Sequence, residues 1–363
     1  MIEKRITKYI HAIQSGTICN LRCSYCYVPN LADANRCTPT KFNYPIEQIA
    51  KAISQERLGG PALITHVGAG ETYLTDESVN LLRLFLEEGH VVNAVSNMTY
   101  TPAIEKICNF PAELRKRLQF SASFHYQELL RRNLLDTYFD NLKKLDEAGI
   151  VYYVNLTLGE DCKDNLGEIK KLVNEKTGRN PFILFCMDPE DNWKRCDFFT
   201  KDFIKKLVDE FEVDHLLIED KLTYGKRRNE FCYMGDWAFI FNLEYGTISG
   251  CFDSPMTQNI VEDLSKPIHF EAVGKCCSHY CAMGARFLCL GVIPELKNFP
   301  NYNKLYDKFK NHPETSEVRS MTNNYLWETN KQYSWIKKRR IMERRNNDPE
   351  YQVGTWMEKG NNE

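Results

Sequence analysis

Cys19-Asn20-Leu21-Arg22-Cys23-Ser24-Tyr25-Cys26-Tyr27 places three cysteines at i, i+4 and i+7. The stretch follows Tyr9 to Thr17, which reads as a strand. Three thiolates this close can ligate three irons of a [4Fe–4S] cube, because such clusters are held by cysteine sulfur. No fourth ligand lies in the stretch, so one iron would stay open to another ligand. A structural zinc site is the alternative. Zinc sites usually repeat cysteine pairs two to four residues apart, and Cys-x3-Cys-x2-Cys fits that pattern poorly.

Outward from this stretch, short apolar runs alternate with amphipathic patterns up to about residue 213. Ala62 to Val67, Val91 to Ser96, Leu118 to Phe124, Val151 to Leu158 and Phe182 to Met187 read as buried strands, six in all with the first. Helical patterns lie between them at Pro45 to Arg57, Asp76 to Glu88, Thr101 to Cys108 with Glu113 to Arg117, Asp136 to Ala148, Asp164 to Lys176, and Lys201 to Glu212. Repeated strand–helix units imply an α/β fold with a parallel sheet. Right-handed crossovers let six such units curl into a partial (β/α)6 TIM-type barrel. Sites in such folds lie at the carboxyl ends of the strands, where Cys19, Cys23 and Cys26 fall.

The cysteine stretch resembles the cluster motif of the radical S-adenosylmethionine (SAM) superfamily. There the open iron is chelated by the amino and carboxylate groups of SAM. Reductive cleavage gives a 5′-deoxyadenosyl radical that abstracts a substrate hydrogen. The resemblance implies roles at later strand ends, and implies that Tyr25 lies beside SAM. Gly68-Ala69-Gly70-Glu71 is similar to the family's Gly-Gly-Glu stretch, with Ala69 for its first glycine and Thr72 for the following proline. Gly70 and Glu71 would then meet the SAM amino group. Ser96-Asn97-Met98-Thr99 resembles Thr-Asn-Gly-Thr, which places Ser96 and Asn97 near the ribose; Met98 replaces the glycine. Ser121-Ala122-Ser123-Phe124-His125 followed by Arg131-Arg132 resembles Ser-Leu-Asp followed by Arg. Ser123 or His125 stands for the acidic residue, and Arg131 for the arginine that pairs with the SAM carboxylate.

Cys186 ends the sixth strand, just before Met187-Asp188-Pro189-Glu190. A thiol there can donate a hydrogen atom to a substrate radical, or be an ordinary buried cysteine. His66 and His125 are either acid–base groups or satisfied structural histidines.

After residue 220 the alternation stops. Trp237 to Asn242 and Tyr245 to Cys251 read as a hairpin across a Glu-Tyr-Gly turn, bringing Cys232 and Cys251 together at its open end. Lys275-Cys276-Cys277-Ser278-His279-Tyr280-Cys281 and Cys289 follow. This region resembles the auxiliary-cluster extensions called SPASM and, in shortened form, Twitch. Cys232, Gly246 and Cys251 match the start of that pattern. The number of cysteines favours one auxiliary iron–sulfur cluster, a [4Fe–4S], with Cys232, Cys251, Cys277 and Cys281 as ligands. Cys276 and Cys277 compete for one role, and a zinc ribbon is the alternative.

The expected organisation is thus a barrel over residues 1–215, a cysteine-rich hairpin and helix extension over 216–290, and a helical tail over 291–363. In the tail, Tyr325 to Arg345 carries Trp327, Trp335 and Lys337-Lys338-Arg339-Arg340, as one helix with apolar and basic faces. It reads as a solvated helix docked on the barrel, or as a recognition element for an acidic group. The last residues, GNNE, read as frayed.

Composition narrows the class further. A net charge of −2 over 363 residues gives no pull toward nucleic acid or membrane, and 43% hydrophobic residues suffice for a core. The N-terminus has no signal-like apolar run, and no stretch has the length of a membrane span. Fourteen cysteines without a secretory signal imply a reducing cytoplasmic setting and metal ligation rather than disulfides. The expected enzyme oxidises or epimerises a small polyol or sugar-type substrate, with an electron donor such as flavodoxin or ferredoxin. A first strand that begins almost at Met1 leaves no room in front for the leader-binding winged helix of many peptide modifiers. The runner-up is a maturase of ribosomally made peptides with a separate leader-binding protein. A non-enzymatic iron–sulfur or zinc module leaves the strand-end motifs unexplained.

Overall fold

The computed structural model describes residues 5–28, 37–188, 196–212, 228–278, 281, 284–296, 300–306 and 317–351. Pro189 and Glu190, His279 and Tyr280, the expected boundary at 215/216 and the GNNE terminus lie outside them.

Six strand–helix units begin the chain. They are β1 (Lys8–Gln14), α1 (Ile46–Ala52), α2 (Gln55–Leu58), β2 (Ala62–Gly68), α3 (Asp76–Glu87), β3 (Val91–Ser96), α4 (Thr101–Cys108), α5 (Ala112–Arg115), β4 (Leu118–Phe124), α6 (Tyr126–Arg131), α7 (Leu135–Glu147), β5 (Val151–Leu158), α8 (Leu166–Thr177), β6 (Phe182–Phe185) and α9 (Lys201–Phe211). β1 to β6 pair in sequence, all parallel. The ends of β2 to β6 and the loop after β1 border one cavity, so the sheet curls into a partial barrel.

The period-two alternation decides which side chains face out. Ile10, Ile64, Val92, Phe120 and Leu156 are fully buried against α3 and α7, where Leu82, Phe85 and Leu142 close the main core. Alternate residues point into the barrel. Thr75 caps α3, its side chain accepting from the Ser78 amide.

Three expectations shift at element ends. The sixth strand stops at Phe185, not Met187, so Cys186 lies just past it. The first strand stops at Gln14, not Thr17. Beyond it the amides of Thr17 and Ile18 both donate to the Thr38 carbonyl at 2.9 Å, which pulls the chain off the sheet. Gly16 permits this approach: a Cβ there would lie 2.5 Å from the Thr40 backbone. The Pro45–Arg57 pattern forms two helices, broken at Ile53 and Ser54, because the buried Ile53 carbonyl engages His90 Nε2 instead of a helical amide.

The hairpin strands are β7 (Ala238–Asn242) and β8 (Thr247–Ser249), joined by β9 (Thr257–Asn259). They do not stand apart from the barrel. β7 pairs parallel with β1 over Tyr9–Ala238 to Ile13–Asn242, giving one nine-stranded sheet in the order β6-β5-β4-β3-β2-β1-β7-β8-β9. Gly246 makes the turn at φ 67°.

The remaining helices are α10 (Gly284–Leu290), α11 (Tyr302–Tyr306), α12 (Glu317–Thr322), α13 (Leu326–Thr329) and α14 (Trp335–Asn347). With Tyr9, Leu63, Val91 and Trp237 they close a second apolar cluster. The expected helix from Tyr325 to Arg345 is therefore two. Asn330 leaves the helical course to donate to the Thr7 carbonyl at 2.8 Å, and Ser334 caps α14. Among the described residues no helix is long and apolar enough to cross a membrane.

Candidate active site

The cavity at the strand ends has a volume of about 330 Å³. The loop after β1 lines it with Thr17, Cys19, Cys23, Tyr25 and Cys26. The end of β2 contributes Gly68 to Thr72, and β3 contributes Val95, Ser96 and Asn97. Ser123 comes from β4 with His125 just past its end, Thr157 from β5, and Leu184 and Phe185 from β6, with Cys186 and Met187 just beyond it. Every barrel residue singled out from the sequence as a site candidate shares this cavity, with the exceptions of Arg131 and His66.

Arg131 is outside the lining. Its guanidinium takes both carboxylate oxygens of Glu128 at 2.8 Å. Arg132 joins the same carboxylate at 2.7 Å, and Glu128 also accepts the Arg22 amide at 2.7 Å. The two arginines thus brace the cysteine loop through a buried carboxylate. His66 is fully buried on the outer face of the sheet. Its Nε2 faces the Gln14 amide nitrogen at 3.0 Å and its Nδ1 the Tyr73 hydroxyl at 3.2 Å, so it is a satisfied structural histidine.

Further bonds fix the cysteine loop. Asn20 Nδ2 donates to Thr99 Oγ1 at 2.7 Å, and Asn97 Nδ2 to Asn20 Oδ1 at 2.8 Å. Ser24 donates to Asp161 at 2.8 Å. Burial holds the His125 pKa down at about 4 and raises that of Tyr25 well above its ordinary value. Both are therefore neutral, and the Tyr25 hydroxyl and His125 Nδ1 share a hydrogen bond at 2.7 Å. Sequence reasoning missed Gly159, where a Cβ would lie 2.4 Å from Tyr25 Cδ1. It also gave no role to Asn20 and Thr99, which stand inside the quoted motifs, and missed Asp161, which belongs to none.

Gly70 is the closest approach in the site. A Cβ there would fall 2.1 Å from the Ile18 carbonyl oxygen. The Gly70 and Glu71 amides donate to Gly16 and Ile18 carbonyls at 3.0 and 2.8 Å, stitching β2's end to the cysteine loop. The Glu71 carboxylate turns toward β3, accepting Ser96 Oγ at 2.8 Å and the Asn97 amide at 2.7 Å. Burial raises its pKa, and these bonds oppose the rise. Met98 adopts φ 58°, the left-handed conformation that glycine favours, so the backbone keeps a glycine-like course without the glycine. Asn141 holds it there, donating to the Met98 carbonyl at 2.9 Å.

The donor set fits a cube. Three thiols converge on one cavity, and the Leu21 amide points at Cys19 Sγ at 3.4 Å with Asn97 Nδ2 at 4.0 Å. Hydrogen bonds to sulfur are what tune an iron–sulfur cluster. Burial, the largest cause, raises the Cys19 pKa, so the thiolate needs a cation to compensate it. Among the described residues no three His, Cys, Asp or Glu side chains are arranged to hold a single metal ion. A cube makes no such demand, since each thiolate binds its own iron.

A second set of cysteines lies at the hairpin's open end. Cys232 exchanges backbone hydrogen bonds with Gly274 at 3.0 and 2.9 Å, which brings residues 275–277 beside it. Burial is the main cause raising the pKa of Cys232, Cys251, Cys277 and Cys281. Neighbouring thiolates of the same group, Cys276 included, raise each further, which marks them as close neighbours. For Cys289 burial alone acts, pushing its pKa to about 12 inside the apolar cluster.

Between the two sets the barrel interior is polar. Tyr9, Thr65, Asn93, Gln119, Tyr153 and Tyr302 form a buried hydrogen-bonded network. Arg286 from α10 reaches Thr65 Oγ1 at 3.2 Å, and together with burial it holds the His11 pKa at about 3. Asn155 donates to Ser121, while its buried Oδ1 has no partner among the described residues.

The basic segment on α14 is largely paired. Arg344 and Arg345 meet Glu271, Lys338 meets Glu295, and Lys337 lies 3.5 Å from the Tyr333 ring centre.

A parallel partial barrel with cysteine thiols massed at its strand ends defines an α/β iron–sulfur protein. The radical SAM superfamily model matches residues 13–173, so this part of the chain is a radical SAM domain. Members of that superfamily use a [4Fe–4S] cluster and SAM. No curated protein sequence matches. Among solved structures, native anSMEcpe with bound AdoMet and Cp18Cys peptide is 14% identical, with a TM-score of 0.51, covering 94% of this chain and 100% of that one. Streptococcus suis SuiB bound to S-adenosylmethionine is 14% identical, with a TM-score of 0.49, over 72% of this chain and 64% of that one. BtrN in complex with AdoMet and 2-DOIA has a TM-score of 0.35, covering 91% of this chain and 98% of that one.

Proposed function

We propose that this radical SAM enzyme abstracts a hydrogen atom from a small polyol or sugar-type substrate and oxidises or epimerises it. The observation that carries the reading is the shared cavity: Cys19, Cys23, Cys26 and the Cys186 thiol line the same space. When bound, the cluster and SAM supply a carbon radical capable of hydrogen abstraction. The remaining work belongs to the chain. Cys19, Cys23 and Cys26 hold the cluster. The rim from Gly70 to Glu71 and from Ser96 to Asn97, with Tyr25 and Ser123 in the same cavity wall, would orient SAM. Leu184, Phe185 and Met187 line the same space at the end of β6 and just beyond it. Cys186 stands ready to return a hydrogen atom to the substrate, which is what an epimerase requires. Arg131 takes the role of a brace for the cysteine loop, because its guanidinium is engaged by Glu128.

An auxiliary [4Fe–4S] cluster in a Twitch-like extension is assigned to Cys232, Cys251, Cys277 and Cys281. It accepts or relays electrons, fed by a flavodoxin- or ferredoxin-type donor. The amide- and hydroxyl-rich barrel interior with Arg286 supports a small, hydroxyl-bearing substrate in the cytoplasm. A second reading is a peptide maturase. anSMEcpe and SuiB have been solved with a peptide and with the precursor peptide SuiA. In this chain, exposed Trp335 and Ile336 at the start of the basic α14 offer a surface for one.

The test is incubation of the reduced, cluster-loaded protein with SAM and panels of polyols, sugars and short peptides in deuterated water. Deuterium in the product supports epimerisation, and loss of two hydrogens supports oxidation. Turnover of peptides alone would overturn the polyol reading.

A further inference from the structure

Cys186 follows the last residue of β6 and stays beside β5, its amide 3.4 Å from the Leu158 carbonyl. Its side chain is buried and lines the cavity. Its sulfur lies 3.3 Å from the sulfur of Cys196. Both are free thiols. The contact is anchored by packing. Phe185, next to Cys186, packs on Phe199 with ring centres 4.5 Å apart, and Phe199 packs on Phe198 at 4.1 Å. The Phe199 amide donates to the Cys196 carbonyl at 3.1 Å. An aromatic clasp thus fixes the turn bearing Cys196 to the end of β6. A third thiol nearby, Cys162, is already engaged with the Gly159 carbonyl at 3.3 Å.

We propose that Cys186 and Cys196 are a reversible dithiol–disulfide pair in the cavity wall, and that closing the disulfide withdraws the Cys186 thiol from catalysis. The proposal deepens the reading of Cys186 as hydrogen donor and rests on it. A small disulfide such as oxidised glutathione is the oxidant. The Cys196 thiolate, partly exposed, attacks one of its sulfurs and releases one glutathione thiolate. The Cys186 thiolate then attacks the Cys196 sulfur of the mixed disulfide and releases the second. One S–S bond breaks and one forms, two thiol protons go to solvent, and two electrons pass to glutathione. The sulfurs must close from contact to a bond of about 2 Å. In the disulfide Cys186 has no S–H to give. Burial raises both thiols above their ordinary range, so pairing accelerates as pH rises.

The experiment equilibrates the anaerobic, cluster-loaded full chain in glutathione buffers of stepped oxidised-to-reduced ratio. Free thiols are then capped with N-ethylmaleimide and peptides are mapped by mass spectrometry. The expected result is a linked Cys186–Cys196 peptide that accumulates with oxidation and disappears on return to reduced buffer. Cys196→Ser should abolish the link and leave Cys186 capped. If Cys196→Ser does not fold, Cys186→Ser serves in its place, leaving Cys196 capped or singly glutathionylated. Wild-type Cys186 and Cys196 that stay separately capped, or carry only separate glutathione adducts, at every ratio would overturn the pair. Formation of 5′-deoxyadenosine from SAM by the reduced protein tests the functional reading independently. A missing link with SAM cleavage intact refutes only the pair, and a link without SAM cleavage refutes only the reading.

Discussion

Glu71 is buried at the rim of the cavity, and its two oxygens gather donors from β3. Glu71→Gln keeps its shape but turns an amide N–H toward the Asn97 amide or the Ser96 hydroxyl. We expect SAM affinity to fall about tenfold, or about 1.4 kcal/mol, measured by equilibrium dialysis of cluster-loaded protein; unchanged affinity would separate Glu71 from the SAM rim. Gly70→Ala forces a methyl against the Ile18 carbonyl, a backbone atom that cannot rotate away. It should cost about 2 kcal/mol or more in stability and lower the iron content after reconstitution. A variant with wild-type melting and iron content would contradict the close approach. The residue types of this rim were visible in the sequence, since glycines and polar groups cluster at successive strand ends. The supports were not. Gly159 makes room for Tyr25, and Glu128 anchors Arg22, across chain separations that no local pattern encodes.

At the scale of elements, all six barrel strands were legible because buried parallel strands are short apolar runs between helical patterns. Their ends were less so: β1 stops at Gln14 because Thr38 captures the following amides. The hairpin was also legible, from its turn and its alternation. Its union with β1 was not, because parallel pairing between strands more than 200 residues apart leaves no local trace. That union has a consequence. Phe239 of β7 is fully buried in the main core with residues of the barrel. Phe239→Ala should cost about 3–5 kcal/mol and lower one cooperative transition, seen alike by circular dichroism and by tryptophan fluorescence. Fluorescence moving ahead of dichroism would mean that the extension unfolds by itself.

For the molecule as a whole, stability should depend on pH through its buried histidines. Burial is the main cause holding His11 and His66 at about 3 and His90 at about 4. Each is neutral when folded and binds a proton on unfolding below about pH 6.5. The unfolded state therefore takes up more protons as pH falls from about 6.5 toward 4, and stability drops by up to about 1.4 kcal/mol per pH unit for each histidine. The melting temperature should fall between pH 7 and pH 5, before the carboxylates titrate; a flat profile would contradict this burial. The strand-end cysteines are expected to make this chain a SAM-cleaving enzyme, and 5′-deoxyadenosine formation after anaerobic reconstitution with iron, sulfide, SAM and a strong reductant checks it. The wild-type protein should bind about eight irons, as two cubes require, and release 5′-deoxyadenosine, while Cys19→Ala/Cys23→Ala/Cys26→Ala should bind about four and release none. A wild-type protein with its clusters assembled and SAM left intact would contradict that expectation.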